Sequence, residues 1–127
     1  TMVVAAGNED SDACDTSPAS APDAITVGAT DDTNTRASYS NYGACLDVFG
    51  PGSQITSAWI DAEDATNTIS GTSMATPHVV GIVANYLSQD DSLTVAQVTA
   101  KVIADASADE VSDLKGSPNL LAYSACV

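Results

Sequence analysis

Positive charge is what this sequence has least of. Lys101, Lys115 and Arg36 stand against seventeen acidic residues, for a net charge of −14 over 127 residues. A chain this acidic repels phosphate, so neither nucleic acid nor an anionic membrane surface is expected as a partner. Histidine is scarcer still: His78 is the single one. No run of eighteen apolar residues occurs, so no helical membrane span is expected. No basic segment leading into an apolar stretch opens the chain. No D-x-[DN]-x-[DN]-G loop is present, so an EF-hand is ruled out. No repeat, charge block or linker divides the chain, which predicts one domain or part of one.

What is present centres on Gly71-Thr72-Ser73-Met74-Ala75-Thr76-Pro77-His78-Val79. A strand-like run, Thr66–Ser70, precedes it, and a long apolar segment reaching Leu87 follows. A serine at a strand-to-helix turn holds its hydroxyl away from the scaffold, among the unpaired N–H groups of the first helical turn. That setting suits a nucleophile, because a developing oxyanion finds oriented donors there. Gly71 allows close backbone approach, and Pro77 reads as a first-turn residue whose missing N–H costs nothing. The competing reading is a Ser/Thr cap before a buried helix. His78 cannot be the base for Ser73. Five residues along a helix turn the chain by about 500° and raise it roughly 7.5 Å, so the two side chains diverge. It reads instead as a packed helix residue.

In chain order, Met2–Ala6 reads as a central parallel strand running straight into Gly7-Asn8. In open α/β sheets, sites form at the carboxyl ends of strands, which makes the Asn8 amide a candidate oxyanion donor; an Asn-Glu-Asp turn is the alternative. So abrupt a start implies residues before Thr1. A proline-rich connection, Ser17–Pro22, leads to strands at Ala24–Ala29 and Cys45–Phe49. A fourth is expected over Ser53–Trp59, with Ile55 and Ala58 facing the core, followed by a surface loop over Ile60–Ala65. The helix from Thr72 is apolar nearly all round, hence buried. A second helix runs from a capping Thr94 or Ser92 to about Ala104, burying Val95, Val98, Val102 and Ile103. The apolar Pro118–Tyr123 tail is expected to dock on the core.

The nonapeptide around Ser73 resembles the nucleophile motif of the subtilisin-like serine proteases, the subtilases. Ala-Ala-Gly-Asn at 5–8 resembles their oxyanion-hole segment. Ser-Pro-Ala-Ser-Ala-Pro, Ile-Thr-Val-Gly-Ala, Ser-Tyr-Ser-Asn-Tyr-Gly and Leu-Asp-Val-Phe-Gly-Pro-Gly resemble the proteinase K subfamily. The likeness runs from Val3 to about Tyr123 and weakens over Ile60–Asn67. It implies an α/β fold with a mostly parallel sheet and helices on both faces in three layers. An α/β-hydrolase would place its histidine after the serine, and downstream of the motif that holds Ser73 and His78 there is none; subtilases run Asp, His, Ser. The resemblance therefore implies residues 1–127 to be the C-terminal portion of one catalytic domain. Its Asp and His would lie upstream of Thr1, and these residues alone would be inactive.

The same resemblance implies a secreted, monomeric endopeptidase acting on proteins and peptides. Ser73 and Asn8 would be catalytic, and Ala5, Ala6, Gly7 and Thr72 would bind substrate. The three small residues carry no charge and leave room for a bulky apolar or aromatic side chain, though a strand packed under a helix would show them too. A Cys14–Cys45 disulfide fits a secreted protein, two buried thiols being the alternative, and leaves Cys126 without an assigned partner. Asp47, with the carbonyls of Pro22 and Ala24, matches the family's principal calcium site; otherwise Asp47 is a solvated acid. Met74, beside the nucleophile, is a target for oxidation. Val80 stands where the family has alanine, which enlarges a contact expected to be buried. The rival to the protease is a secreted calcium-binding module or a peptide-binding pseudoenzyme.

Overall fold

The structure is a computed structural model that describes residues 1–124, so Cys126 lies outside the described residues. Strands β1 (Met2–Ala5), β2 (Ala24–Thr30) and β3 (Val48–Pro51) run parallel, and β7 (Leu120–Leu121) joins β3 in parallel. A short antiparallel β6 (Ser107–Ala108) completes the order β1-β2-β3-β7-β6. All seven residues of β2 are buried, as expected of an unbroken Ala-Ile-Thr-Val-Gly-Ala-Thr run in a parallel sheet. The fold is α/β, of the mostly parallel type expected. The expected central place of β1 is not seen within these residues. Among the described residues β1 is the edge of the sheet, and Met2 is 61% exposed.

Helices α1 (Thr72–Gln89) and α2 (Val95–Asp105) share one core cluster with Ile25, Val27, Ala29 and Val48. The other face is covered by a 3-10 turn at Ala13–Asp15 and by loops, around Phe49, Leu46 and Val111. Among the described residues, then, the second covering layer is irregular chain and both α-helices lie in the first. The Pro118–Tyr123 tail docks as expected: β7 pairs with β3, and Leu120 and Ala122 pack on the core.

Several local expectations need correction. α1 is not buried all round; its inner face is Ala75, Val79, Ile82, Val83 and Tyr86. Val80 lies about 100° from Val79, on the outer side, and is 45% exposed, so it enlarges no buried contact here. Pro77 is in the interior of α1, not its first turn, and leaves the carbonyl of Ser73 without its usual amide donor. α2 buries Val98 and Val102, whereas Val95 and Ile103 are exposed. Its cap is Thr94, in a capping box with Gln97.

Cys45–Asp47 is loop, because Asp47 turns its carboxylate onto the Thr26 N–H at 2.7 Å before β3 begins. The expected fourth strand shrinks to β4 (Ile55–Ala58) and leaves the main sheet. Among the described residues it pairs only with β5 (Thr66–Ile69), as an outlying antiparallel hairpin with Ala58 exposed and Ile55 half-buried. Cys14 and Cys45 form a disulfide with S–S 2.08 Å, tying the 3-10 turn to the loop before β3.

Candidate active site

α1 begins with a glycine, and neither a serine nor a threonine caps it. Gly71 is the N-cap and contributes no side-chain bond; Thr72 and Ser73 are the first two helical residues. The capping alternative for this motif therefore fails. Thr72 is fully buried while Ser73 next to it is exposed, so the turn sends one hydroxyl inward and the other outward. The Ser73 N–H belongs to the first-turn donors for which a helix has no internal acceptor.

β1 delivers Asn8 to the same place. Gly7 makes the turn at φ +106°, a left-handed conformation that favours glycine. Asn8 Oδ1 accepts from the Thr72 N–H at 2.9 Å and from the Thr72 hydroxyl at 2.9 Å, and that hydroxyl accepts from the Gly7 N–H at 3.2 Å. With its oxygen fixed on Thr72, the Asn8 amide presents Nδ2, the donor end, outward. A β-carbon placed on Gly71 would stand 3.6 Å from Asn8 Nδ2, 3.7 Å from the Ser73 nitrogen and 3.6 Å from Met74 Sδ. Two nitrogens from distant parts of the chain thus lie within 3.7 Å of one point above a glycine, with the exposed serine beside it.

An open cavity of about 320 Å³ adjoins that point. Ala5, Ala6, Gly7, Asn8, Thr72 and Ser73, all expected at the site, line it together. Its far wall is the Thr16–Ala19 loop, unforeseen in this role. Glu9 also lines the cavity, so a charge stands where the small residues suggested none; its Oε2 accepts from the buried Asn41 amide at 2.9 Å. Thr72 spends its hydroxyl on holding Asn8, so it shapes the cavity wall and offers that group to no ligand. His78 is exposed, not packed, and its Nδ1 lies 2.9 Å from the Met74 carbonyl, within its own helix. It serves no nucleophile.

The expected metal ligands also meet. Pro22, Ala24 and Asp47 line two neighbouring cavities of about 680 and 270 Å³. Thr26 anchors both sides, its N–H on Asp47 Oδ2 and its hydroxyl on the Ala19 carbonyl at 2.8 Å. Burial pushes the Asp47 carboxyl above the ordinary 3.8, against the lowering effect of the Thr26 N–H. Among the described residues no group of three or more His, Cys, Asp or Glu gathers for a metal. A cation at Asp47 would therefore depend on one carboxylate, backbone carbonyls and water, a donor set of hard oxygens suited to calcium.

Sequence reasoning missed the network behind Asn8. Arg36 is buried, with Nη1 3.0 Å from Asp10 Oδ1 and Nη2 2.8 Å from Asp113 Oδ2. Lys115 reaches Asp10 at 2.7 Å. Two of the chain's three basic residues thus converge on the acid two positions after Asn8. Their scarcity was the only sequence signal available.

The subtilase family model matches residues 1–121. Alkaline protease 1 of Aspergillus oryzae is 62% identical over 122 residues, 95% of this chain and 30% of that protein. An extracellular serine proteinase of Thermus sp. is 56% identical over 124 residues, 97% of this chain and 30% of that protein. The crystal structure of a cold adapted subtilisin-like serine proteinase superposes with a TM-score of 0.93 at 51% identity, covering 97% of this chain and 44% of that one. The chain thus spans under half the length of each of these relatives. A serine at a helix start, an amide donor carried in from a parallel strand and a family match over nearly every residue agree: the chain belongs to the subtilase family of serine proteases.

Proposed function

We propose that these residues are the nucleophile-bearing, C-terminal portion of a secreted serine endopeptidase whose histidine base and aspartate come from outside them. The observation that carries the reading is the convergence of Asn8 Nδ2 and the Ser73 N–H on one point beside an exposed hydroxyl. Ser73 Oγ attacks the peptide carbonyl and its proton passes to the histidine. The carbonyl oxygen, now anionic, takes the two N–H donors at the positive end of α1. Collapse expels the amine with that proton, and water then releases the acyl group from Ser73 by the same route. The side chain before the scissile bond enters the cavity floored by Ala5, Ala6 and Gly7, which suits a bulky apolar or aromatic group. Glu9 stays at the wall, held by Asn41.

The Cys14–Cys45 disulfide supports an oxidising, extracellular destination. The half-buried Asp47 between the Pro22 and Ala24 segments supports a structural calcium ion there. The ion would supply positive charge to a carboxylate that burial otherwise disfavours.

An organofluorophosphonate probe tests the reading. The full-length protein should be labelled at Ser73 and cleave a suitably apolar peptide substrate, and Ser73→Ala should abolish both. Residues 1–127 alone should resist labelling for want of a base. A full-length protein that binds peptides yet takes no label would be a pseudoenzyme, and the endopeptidase reading would fall.

A further inference from the structure

Asn41 is fully buried, yet it lies in neither β1 nor α1. Its Oδ1 accepts from the Glu9 N–H at 3.0 Å, the Ser11 N–H at 3.1 Å and the Ser11 hydroxyl at 3.3 Å. Its Nδ2 donates to the Ala6 carbonyl at 2.9 Å and to Glu9 Oε2 at 2.9 Å. Its backbone N–H donates to the Gly7 carbonyl at 2.9 Å. These bonds fall on residues 6 and 7 before Asn8 and on 9 and 11 after it. Asn8 lies between the two sets. A β-carbon on Gly7 would overlap Asn41 Nδ2, so the glycine leaves the space that this amide fills. The neighbouring residues extend the contact, with the Asp10 N–H donating to the Tyr39 carbonyl at 3.0 Å and the Tyr42 N–H to the Ser11 carbonyl at 3.0 Å.

An oxyanion donor must be fixed at both ends. Thr72 holds the far end of the Asn8 side chain, but Ala5, Ala6 and Gly7 carry no side chain large enough to brace the backbone beneath it. A misplacement of about 1 Å can cost about 10²-fold in rate. We propose that Asn41 is a positioning residue for the oxyanion site. It templates the turn from Ala6 to Ser11 so that Asn8 Nδ2 meets the same substrate oxygen as the Ser73 N–H. The proposal rests on the protease reading given above.

Asn41→Asp tests it in the full-length protease. The change keeps the shape and the Oδ1 acceptor but turns an oxygen toward the Ala6 carbonyl and Glu9 Oε2. Turnover should fall about 10- to 10²-fold with KM within about twofold. Affinity for a peptide aldehyde, whose adduct with serine carries the oxyanion, should fall by the same factor. In an Asn8→Ala background the same substitution should change kcat by less than about twofold, because the donor it positions is gone. Glu9→Ala removes the Nδ2 acceptor from an exposed residue and carries the test should Asn41→Asp not fold; it should lower kcat severalfold with the same dependence on Asn8. Equal losses in both Asn8 backgrounds, or a lowered melting temperature with kcat intact, would overturn the positioning role alone. A wild-type protein with neither peptidase activity nor labelling at Ser73 would overturn the protease reading, and this proposal with it.

Discussion

Gly71 does its work through an absent side chain. Its φ of 161° is extended backbone that any residue adopts, and a β-carbon there would meet its neighbours at ordinary contact distances of 3.6–3.7 Å. Gly71→Ala should therefore fold, with stability within about 0.5 kcal/mol of wild type. The methyl group would nevertheless sit where the two donors converge. In subtilisin, itself a member of this family, loss of one oxyanion donor costs about 10²–10³ in kcat. A kcat/KM reduced at least about 10²-fold at unchanged melting temperature is expected for Gly71→Ala; a fully active variant would show that the substrate oxygen lies elsewhere. Ser73 and Asn8 could be picked out in the sequence because each follows a strand-like run and a glycine, within a motif that resembles a known family's. That Thr72 would use its hydroxyl to hold Asn8, and Asn41 its side-chain amide to bond Ala6 and Glu9, could not. Those bonds join residues 32 or more positions apart and follow no periodicity.

At the scale of elements, the helices show how far pattern reaches. α2 owes its start to Thr94, whose side chain accepts from the Gln97 N–H while Gln97 Oε1 takes the Thr94 N–H. Thr94→Ala should cost about 1 kcal/mol, read as a lower midpoint in urea at unchanged m-value. α1 is less regular. Pro77 removes the amide that Ser73's carbonyl would have received, and Gly71 gives no side-chain cap, so its first turns depend on packing against β2 and on Asn8 taking the Thr72 N–H. The apolar positions of both helices could be read directly, but not which of them face inward. Val80, Val95 and Ile103 are as apolar as Val79 and Val98, and among the described residues the first three face away from the sheet.

For the whole molecule, two constraints act outside the active site. The disulfide closes a separation of 31 residues, and by the loop-entropy model it contributes about 3–4 kcal/mol. Reduction should lower the melting temperature by an amount that Cys14→Ser/Cys45→Ser reproduces; identical melting with and without reductant would remove the bridge from the account. Charge supplies the second constraint. Burial raises the Asp47 carboxyl above 3.8, so its protonated form is the one the fold favours. Without calcium, its contribution is complete below 3.8 and is lost as pH rises through the raised value. Asp10 works oppositely: the Lys115 ammonium, with Arg36, lowers its carboxyl, giving stability above 3.8 that disappears on acidification. The Asp47 effect is therefore read as the difference between wild type and Asp47→Asn. In chelator the variant should be as stable as wild type or more so at neutral pH. In millimolar calcium wild type should gain melting temperature and the variant should not. A calcium-dependent gain retained by Asp47→Asn would place the ion elsewhere.

By itself the sequence determined what depends on neighbours along the chain: the alternation of strands and helices, a cap at Thr94 or Ser92, the glycine turns, and a nucleophile motif long enough to identify its family. Only the tertiary structure decided which apolar surfaces are covered, which of the acids is half-buried with a raised carboxyl, and which buried amide bonds the residues on either side of Asn8. The reason is physical. Backbone propensity and side-chain period act over a few residues, whereas burial and convergent hydrogen bonds exist only after parallel strands have brought residues 6–11, 39–42 and 71–73 to the same end of one sheet.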